Sequence, residues 1–163
     1  MKLYKTLLTL ALLGLSINAY SIDIKRIDAS NYDQKNGHVP ANLLDNNNST
    51  RWAAAGKNNW LLIEFNHEEK IDNMVINAFK SKERFLSFSL SYSLDNKTWI
   101  TIPGQFQTAS VDDKLGEKFI FSKPITAKYL RLNTFGTNYN NWSAINELSF
   151  NSSAQLPTQT ITL

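Results

Sequence analysis

The 163-residue sequence contains no cysteine, so no disulfide can fasten its ends or its loops. It has two histidines, His38 and His67, with no partner spacing that marks a metal site or a catalytic triad. G-x-S-x-G, H-E-x-x-H and phosphate-loop signatures are all missing. Adjacent acids occur at Glu68-Glu69 and Asp112-Asp113. Neighbouring side chains in turns diverge, so these make poor acid–base pairs. The inventory argues against an enzyme.

Long apolar runs are scarce, and the one that exists lies at the start. Residues 1–21 open with Lys2 and Lys5, continue through apolar residues from Leu7 to Leu15, and end in Ala19-Tyr20-Ser21. That order matches a bacterial-type secretory signal peptide. The apolar stretch is shorter than the roughly 20 residues needed to cross a bilayer. Cleavage and a secreted or periplasmic location are therefore expected. Lys2 and Lys5 are the only charges in 1–21, so their loss takes the net charge from +3 to +1. A near-neutral chain without a Lys/Arg block has no electrostatic footprint for nucleic acid, which is not an expected partner.

What remains is rich in short alternating segments. Leu86-Ser-Phe-Ser-Leu-Ser-Tyr-Ser93 places Leu86, Phe88, Leu90 and Tyr92 on one face and four serines on the other, a half-buried strand. Asp95-Asn96-Lys97 forms a turn, and Thr98-Trp-Ile-Thr-Ile102 resumes the pattern until Pro103-Gly104, which predicts a hairpin. With runs at 22–27, 60–65, 71–79, 118–121, 129–132 and 145–150, about seven or eight strands are expected. After residue 21 no segment keeps a helical period beyond a turn or two, although 41–44 suits a single helical turn. The fold class expected is all-β, an antiparallel β-sandwich formed by one domain over residues 22–150. Trp60 and Trp99 lie inside strand patterns and are assigned to the core, and Trp52 is expected to pack beneath the loop before it. Residues 151–163, rich in Ser, Thr and Gln and containing Pro157, read as a flexible C-terminal tail.

Two segments far apart in the chain carry most of the chemistry: Pro40-Ala-Asn-Leu-Leu-Asp-Asn-Asn-Asn-Ser-Thr-Arg-Trp52 and Asn140-Asn-Trp-Ser-Ala-Ile-Asn-Glu-Leu-Ser-Phe150. The first reads as a cation loop. Asp45 supplies a carboxylate, Thr50 a hydroxyl, and the polar turn between them can aim carbonyl oxygens inward. This is the hard oxygen set that calcium prefers. Glu147 can complete the shell from the second segment. A metal closed between Asp45 and Glu147 would stabilise the fold in place of a disulfide.

Taken in order, Ala41-Asn-Leu-Leu-Asp45, Ser49-Thr-Arg-Trp52, Trp60-Leu-Leu-Ile-Glu-Phe65, Phe88-Ser-Leu-Ser-Tyr-Ser-Leu-Asp-Asn-Lys-Thr-Trp99, Lys128-Tyr-Leu-Arg-Leu132 and Ile145-Asn-Glu-Leu-Ser-Phe150 resemble the discoidin domain. This is also called the coagulation factor V/VIII type C domain, and the likeness is greatest to the family 32 carbohydrate-binding modules of bacteria. The resemblance implies a jelly-roll sandwich with a structural calcium near the chain ends. By it, Asn42 and Asn47 would give backbone oxygens and Thr50 its hydroxyl, its carbonyl or both, beside Asp45 and Glu147. Two departures stand out. Asn46 occupies a turn position where the family usually has glycine, and asparagine tolerates the left-handed backbone better than most residues. The disulfide that often joins the ends of animal members is impossible here.

The stretch from Asn138 to Glu147 looks most like modules attached to bacterial alginate lyases, which also carry basic residues where this chain has Lys80-Ser-Lys-Glu-Arg84. The resemblance implies a non-catalytic, lectin-like domain for acidic (uronate) or galactose-type poly- or oligosaccharides. Guanidinium groups match carboxylates with paired hydrogen bonds, and a tryptophan can cover the apolar face of a sugar ring. Lys80, Arg84, Asn141 and Trp142 are the leading ligand contacts, followed by Lys82, Asn138 and Tyr139. The alternative is a cell-surface adhesion domain with a protein partner. The candidate loops are mainly polar or small, so membrane insertion is not expected.

Overall fold

The computed structural model describes residues 22–112 and 114–163, so the export signal expected over 1–21 lies outside the described residues. The architecture is the expected β-sandwich. Its strands are β1 (Ile24–Ala29), β2 (Trp52–Ala55), β3 (Asn59–Ala78), β4 (Leu86–Ser93), β5 (Ile100–Thr101), β6 (Phe106–Gln107), β7 (Glu117–Thr137), β8 (Trp142–Phe150) and β9 (Thr158–Ile161). Short 3-10 turns at Gln34–Asn36 and Pro40–Leu44 interrupt the path from β1 to β2, the second covering the expected helical turn. No helix among the described residues is long and apolar enough to cross a membrane.

β3 and β7 organise the rest. The first part of β3, 59–64, pairs antiparallel with the end of β7, 129–134, while 69–76 pairs with 117–127. The register shifts between Glu64 and Glu69 and again between Ile71 and Asn73. Irregularities of this kind bend and twist a strand, so one strand can serve two sheets. The early half of β3 and the late half of β7 lie with β1, β4, β5 and β6. The other halves lie with β2, β8 and β9. The sequence reading separated 60–65 from 71–79 because Asn66-His-Glu-Glu-Lys70 is polar, but the chain stays extended through it.

The core follows from period-two alternation. Leu61, Ile63 and Phe65 of β3 face inward with Leu130 and Leu132 of β7, all fully buried. Phe88 of β4 meets Phe119 of β7 edge to face at 5.1 Å, and Phe65 meets Phe150 of β8 at 5.2 Å. Such aromatic pairs contribute about 0.5–1.5 kcal/mol beyond their buried area. Trp52 is fully buried and its indole donates to the Asn31 carbonyl at 3.1 Å.

Two expectations need correction. The segment read as a loose tail is built into the fold: Thr158–Ile161 pairs parallel with 118–121 of β7, and Ile161 is 1% exposed. Gln159 Nε2 donates to Gln107 O at 2.9 Å and to Glu117 Oε1 at 2.7 Å. Its polar composition hid a strand that buries a single large apolar side chain. Trp60 and Trp99 were assigned to the core, yet both are only partly buried and lie against Arg131.

Ile161→Ala is expected to lower stability by about 2–4 kcal/mol in urea unfolding, the usual cost of truncating a buried isoleucine. A tail that contributed nothing would leave the transition unchanged.

Candidate functional site

The loop expected to hold a cation begins where the Pro40–Leu44 turn ends at Asp45. Asn46 adopts φ +55, the left-handed geometry that its side chain permits. The next amide, Asn47 N–H, donates to Asp45 Oδ1 at 2.9 Å and to Glu147 Oε1 at 2.7 Å, drawing β8 onto the loop. Thr50 Oγ1 lies 2.7 Å from Asp45 Oδ2 and 2.8 Å from Asn47 O. A hydroxyl has one hydrogen, so only one of these contacts is a donated bond at a time. The side chain of Asn42 closes the base of the loop, donating to the Gly37 and Arg51 carbonyls at 2.8 Å each. Asp45, Asn47, Thr50 and Glu147 therefore converge, while Asn42 holds the two arms of the loop together.

The two carboxylates are not equivalent. The Thr50 hydroxyl holds Asp45 below the usual carboxylate range. Burial raises Glu147, and the nearby Asp45 charge adds to this, although the Asn47 amide acts the other way. Among the described residues no group of three or more His, Asp or Glu side chains is placed to hold a metal. A cation here would rely on two carboxylates, a hydroxyl and backbone carbonyls.

A second feature lies at the end of the sandwich where β3 runs out and β8 begins. It is a cleft of about 240 Å³ lined by Asp33, His38, Arg51, Ala53, Phe79, Arg84, Asn140, Trp142 and Ala144. Phe79 follows directly from β3. Lys80 then takes φ +54, and its carbonyl accepts from Glu83 N at 2.8 Å and Arg84 N at 3.0 Å. This tight turn carries Arg84 back over Phe79. The Arg51 guanidinium lies 4.2 Å from the Phe79 ring centre, and that of Arg84 lies 5.9 Å from it and 5.1 Å from Tyr139. Among the described residues neither arginine has a carboxylate within 4 Å, in contrast to Arg26, which pairs with Glu64. Burial lowers the Arg51 pKa and the Asp33 charge opposes that, but guanidinium stays charged in proteins. His38 Nδ1 lies 3.2 Å from Asp33 Oδ2, leaving Nε2 as the ring nitrogen available to a ligand. Hydrogen bonds from Asn36, chiefly its side chain, and then His38 keep Asp33 ionised to lower pH than an ordinary aspartate.

The predicted ligand contacts are distributed unevenly around this cleft. Arg84 and Trp142 line it, and Tyr139 stands at its edge, 73% exposed. Lys80 faces Glu83 at 3.8 Å and Phe79 at 5.8 Å. Lys82 departs from expectation: it pairs with Asp112 at 3.3 Å, and its carbonyl accepts from Ser110 Oγ at 3.2 Å, so it is tied to the loop that follows β6. Asn138 fastens two loops together, its Oδ1 accepting from Phe85 N at 2.7 Å and its N–H donating to Phe85 O at 3.3 Å. Asn141 is exposed, and its backbone lies so close to Gly136 that a Cβ there would stand 3.0 Å from its Cα.

Sequence reasoning did not assign Arg51, His38, Asp33 or Phe79 to this site. Arg51 was recoverable, since an inward Trp52 turns its neighbour outward. The Asp33–His38 pair had no such signal, because the β1–β2 connection that brings it here is irregular.

The sequence profile of the F5/8 type C domain matches residues 26–148. The chain belongs to this family. Among solved structures, this F5/8 type C domain is similar to a pectin binding carbohydrate binding module, with 48% identity and a TM-score of 0.80 over 86% of this chain and 99% of that one. It is also similar to the CBM32 of AlyQ in complex with 4,5-unsaturated mannuronic acid, at 25% identity and TM-score 0.73, covering 83% of this chain and 99% of that one. The family 32 module of C. perfringens NanJ, in complex with galactose, shares the fold at 16% identity and TM-score 0.61 over 77% of this chain and 91% of that one. No curated protein sequence matches. By family and by fold, this F5/8 type C domain groups with carbohydrate-binding modules.

Asn138→Ala is expected to cost about 1 kcal/mol by leaving the Phe85 amide without its acceptor, whereas Asn141→Ala should leave the melting temperature unchanged. Thermal unfolding of the two variants separates the loop fastener from the exposed amide.

Proposed function

We propose that this F5/8 type C domain is an exported, non-catalytic module that binds uronate-type glycans in the cleft between Arg51, Arg84 and Trp142. The observation that carries the reading is the pair of guanidinium groups, without carboxylate partners among the described residues, over one ring, Phe79, beside an indole that is 41% exposed. A uronic acid offers a carboxylate for the forked donors and an apolar ring face for the indole. His38 Nε2 and the Asn140 side chain are at hand for hydroxyl groups. The 48% identical pectin binding module supports an acidic ligand, as does the unsaturated mannuronic acid bound to the AlyQ module. An open cleft with one stacking ring and a few charged hydrogen bonds corresponds to about 4–6 kcal/mol, or dissociation constants from roughly millimolar to tens of micromolar.

We further propose that Asp45 and Glu147, with Thr50 and the backbone oxygens of Asn42 and Asn47, hold a structural calcium. Their oxygen-only chemistry fits calcium, and the Asp45 and Glu147 carboxylates already converge on the single Asn47 amide. Its role would be to fix the loop that ends in Arg51, without contact to sugar.

Calorimetry against oligogalacturonate, oligomannuronate and a neutral galactose oligosaccharide tests the ligand. Uronate binding should fall at least about tenfold in Arg84→Ala and in Arg51→Ala, at about 1.5–3 kcal/mol per charged hydrogen bond, and should weaken with salt. Equal binding of the neutral sugar, unchanged by both substitutions, would overturn the uronate reading, and silence from a folded protein would favour protein-mediated adhesion.

For the metal, calcium should raise the melting temperature of the wild type and a chelator should lower it. Glu147→Gln keeps the acceptor for Asn47 and removes the strained charge. Its melting temperature should match or exceed that of the wild type in chelator and show no rise with calcium. A calcium response unaltered by this substitution would exclude the site.

A further inference from the structure

The outer face of the sheet containing β1, β4 and the late half of β7 carries a second arrangement of the same chemical kind, away from the cleft. Arg131, in the middle of late β7, lies 5.2 Å from the Trp60 ring centre and 4.9 Å from that of Trp99. Trp60 comes from β3 on one flank, and Trp99 from the residue before β5 on the other. Both indoles stay partly exposed. The register sets Trp60 opposite Asn133, and Ser89 and Ser91 of β4 opposite Asn133 and Arg131. Residues directly opposite share a face, so these side chains stand together on the outer face, Ser91 itself being buried there, while Leu61, Leu90, Leu130 and Leu132 fill the core.

Arg131 has not found the partners that an arginine in such a position usually has. Its Nε is buried without a hydrogen bond, and among the described residues none of its nitrogens lies within 4 Å of a carboxylate. On the same sheet, Arg26 and Lys25 both reach Glu64, at 2.8 Å each. Buried N–H groups without partners are rare in folded proteins, and cation–π contacts alone offset only part of a guanidinium's lost hydration. Among the described residues the indoles, and no hydrogen bond, hold the Arg131 side chain in place, which leaves its terminal donors free for an incoming anion.

We propose that this face is a second glycan site, which takes an acidic sugar residue with its carboxylate on the Arg131 guanidinium, its ring against the open part of Trp60 or Trp99, and its hydroxyls on Ser89 and Asn133. The ligand class rests on the uronate reading of the cleft. The consequence differs from that reading: two sites on separate faces let one module grip two stretches of a polyuronate chain, or join two chains. Avidity then compensates for weak individual sites.

The chain has four tryptophans, so the indole N–H signals in a nitrogen-15 NMR titration with tetragalacturonate report each place separately. Trp142 reports the cleft, Trp60 and Trp99 the sheet face, and buried Trp52 serves as control. The titration is run on the wild type and on an Arg51→Ala/Arg84→Ala double variant. The Trp60 and Trp99 signals should shift in both proteins, and a neutral galactose oligosaccharide should shift neither. Arg131→Gln should abolish those shifts while Trp142 still responds. Ser89→Glu, which sets a carboxylate diagonally across from Arg131 without removing the arginine, should do the same if Arg131→Gln is poorly folded. Shifts confined to Trp142 would leave the cleft reading intact and overturn the second site. Trp60 and Trp99 shifts that vanish in the double variant would overturn it as well, as indirect effects of cleft binding. If no indole responds, the uronate reading fails, and the second site fails with it.

Discussion

The Asn47 amide, donating at once to Asp45 and to Glu147, is the contact on which the functional end of this domain depends. In a chain without cysteine it joins an early loop to β8 across a hundred residues. The position of everything between Asp45 and Trp52 follows from it. Arg51 reaches Phe79 only because the loop before it is pinned to β8 at one end and Trp52 is anchored in the core at the other. The arrangement gathers two carboxylates around one amide.

The cleft is assembled in the same way, from backbone constraints that leave side chains little choice. Phe79 extends β3, the positive φ of Lys80 turns the chain, and Arg84 is returned over the ring. Opposite, Gly136 (φ +84) allows the 137–141 loop to fold back so closely that no side chain would fit, and Asn138 ties that loop to Phe85. The basic groups thus stand on rigid supports, and a ligand bound there as proposed would require little ordering of them, which limits the entropy lost.

Alternation of apolar and polar residues made the strands legible, because Leu86, Phe88 and Leu90 must share a buried face whatever surrounds them. The meeting of Asp45 with Glu147 was legible in the two polar segments that carry them, and the Asn47 amide joins them. Less visible were features set by connection geometry. Polar 66–70 concealed the continuity of β3, Ser/Thr/Gln content concealed β9, and the irregular path from β1 to β2 concealed the Asp33–His38 pair. Lys82, ranked behind Lys80 and Arg84 among the contacts expected from the basic run, is turned toward Asp112 instead. Trp60 and Trp99 were misplaced because aromatic residues in strands usually mark a core, and here Arg131 provides them with a partner on the surface.

The cleft is framed by the ends of β3, β7 and β8, the longest strands of the fold. A polymer held in the cleft as proposed, and drawn away from this end, would pull nearly along the strand axes and load the backbone hydrogen bonds of the ladders in shear, so that they share the force. A pull across the sheet would break them one after another. The mechanical resistance of the domain should therefore depend on the direction of pulling far more than its equilibrium stability would suggest.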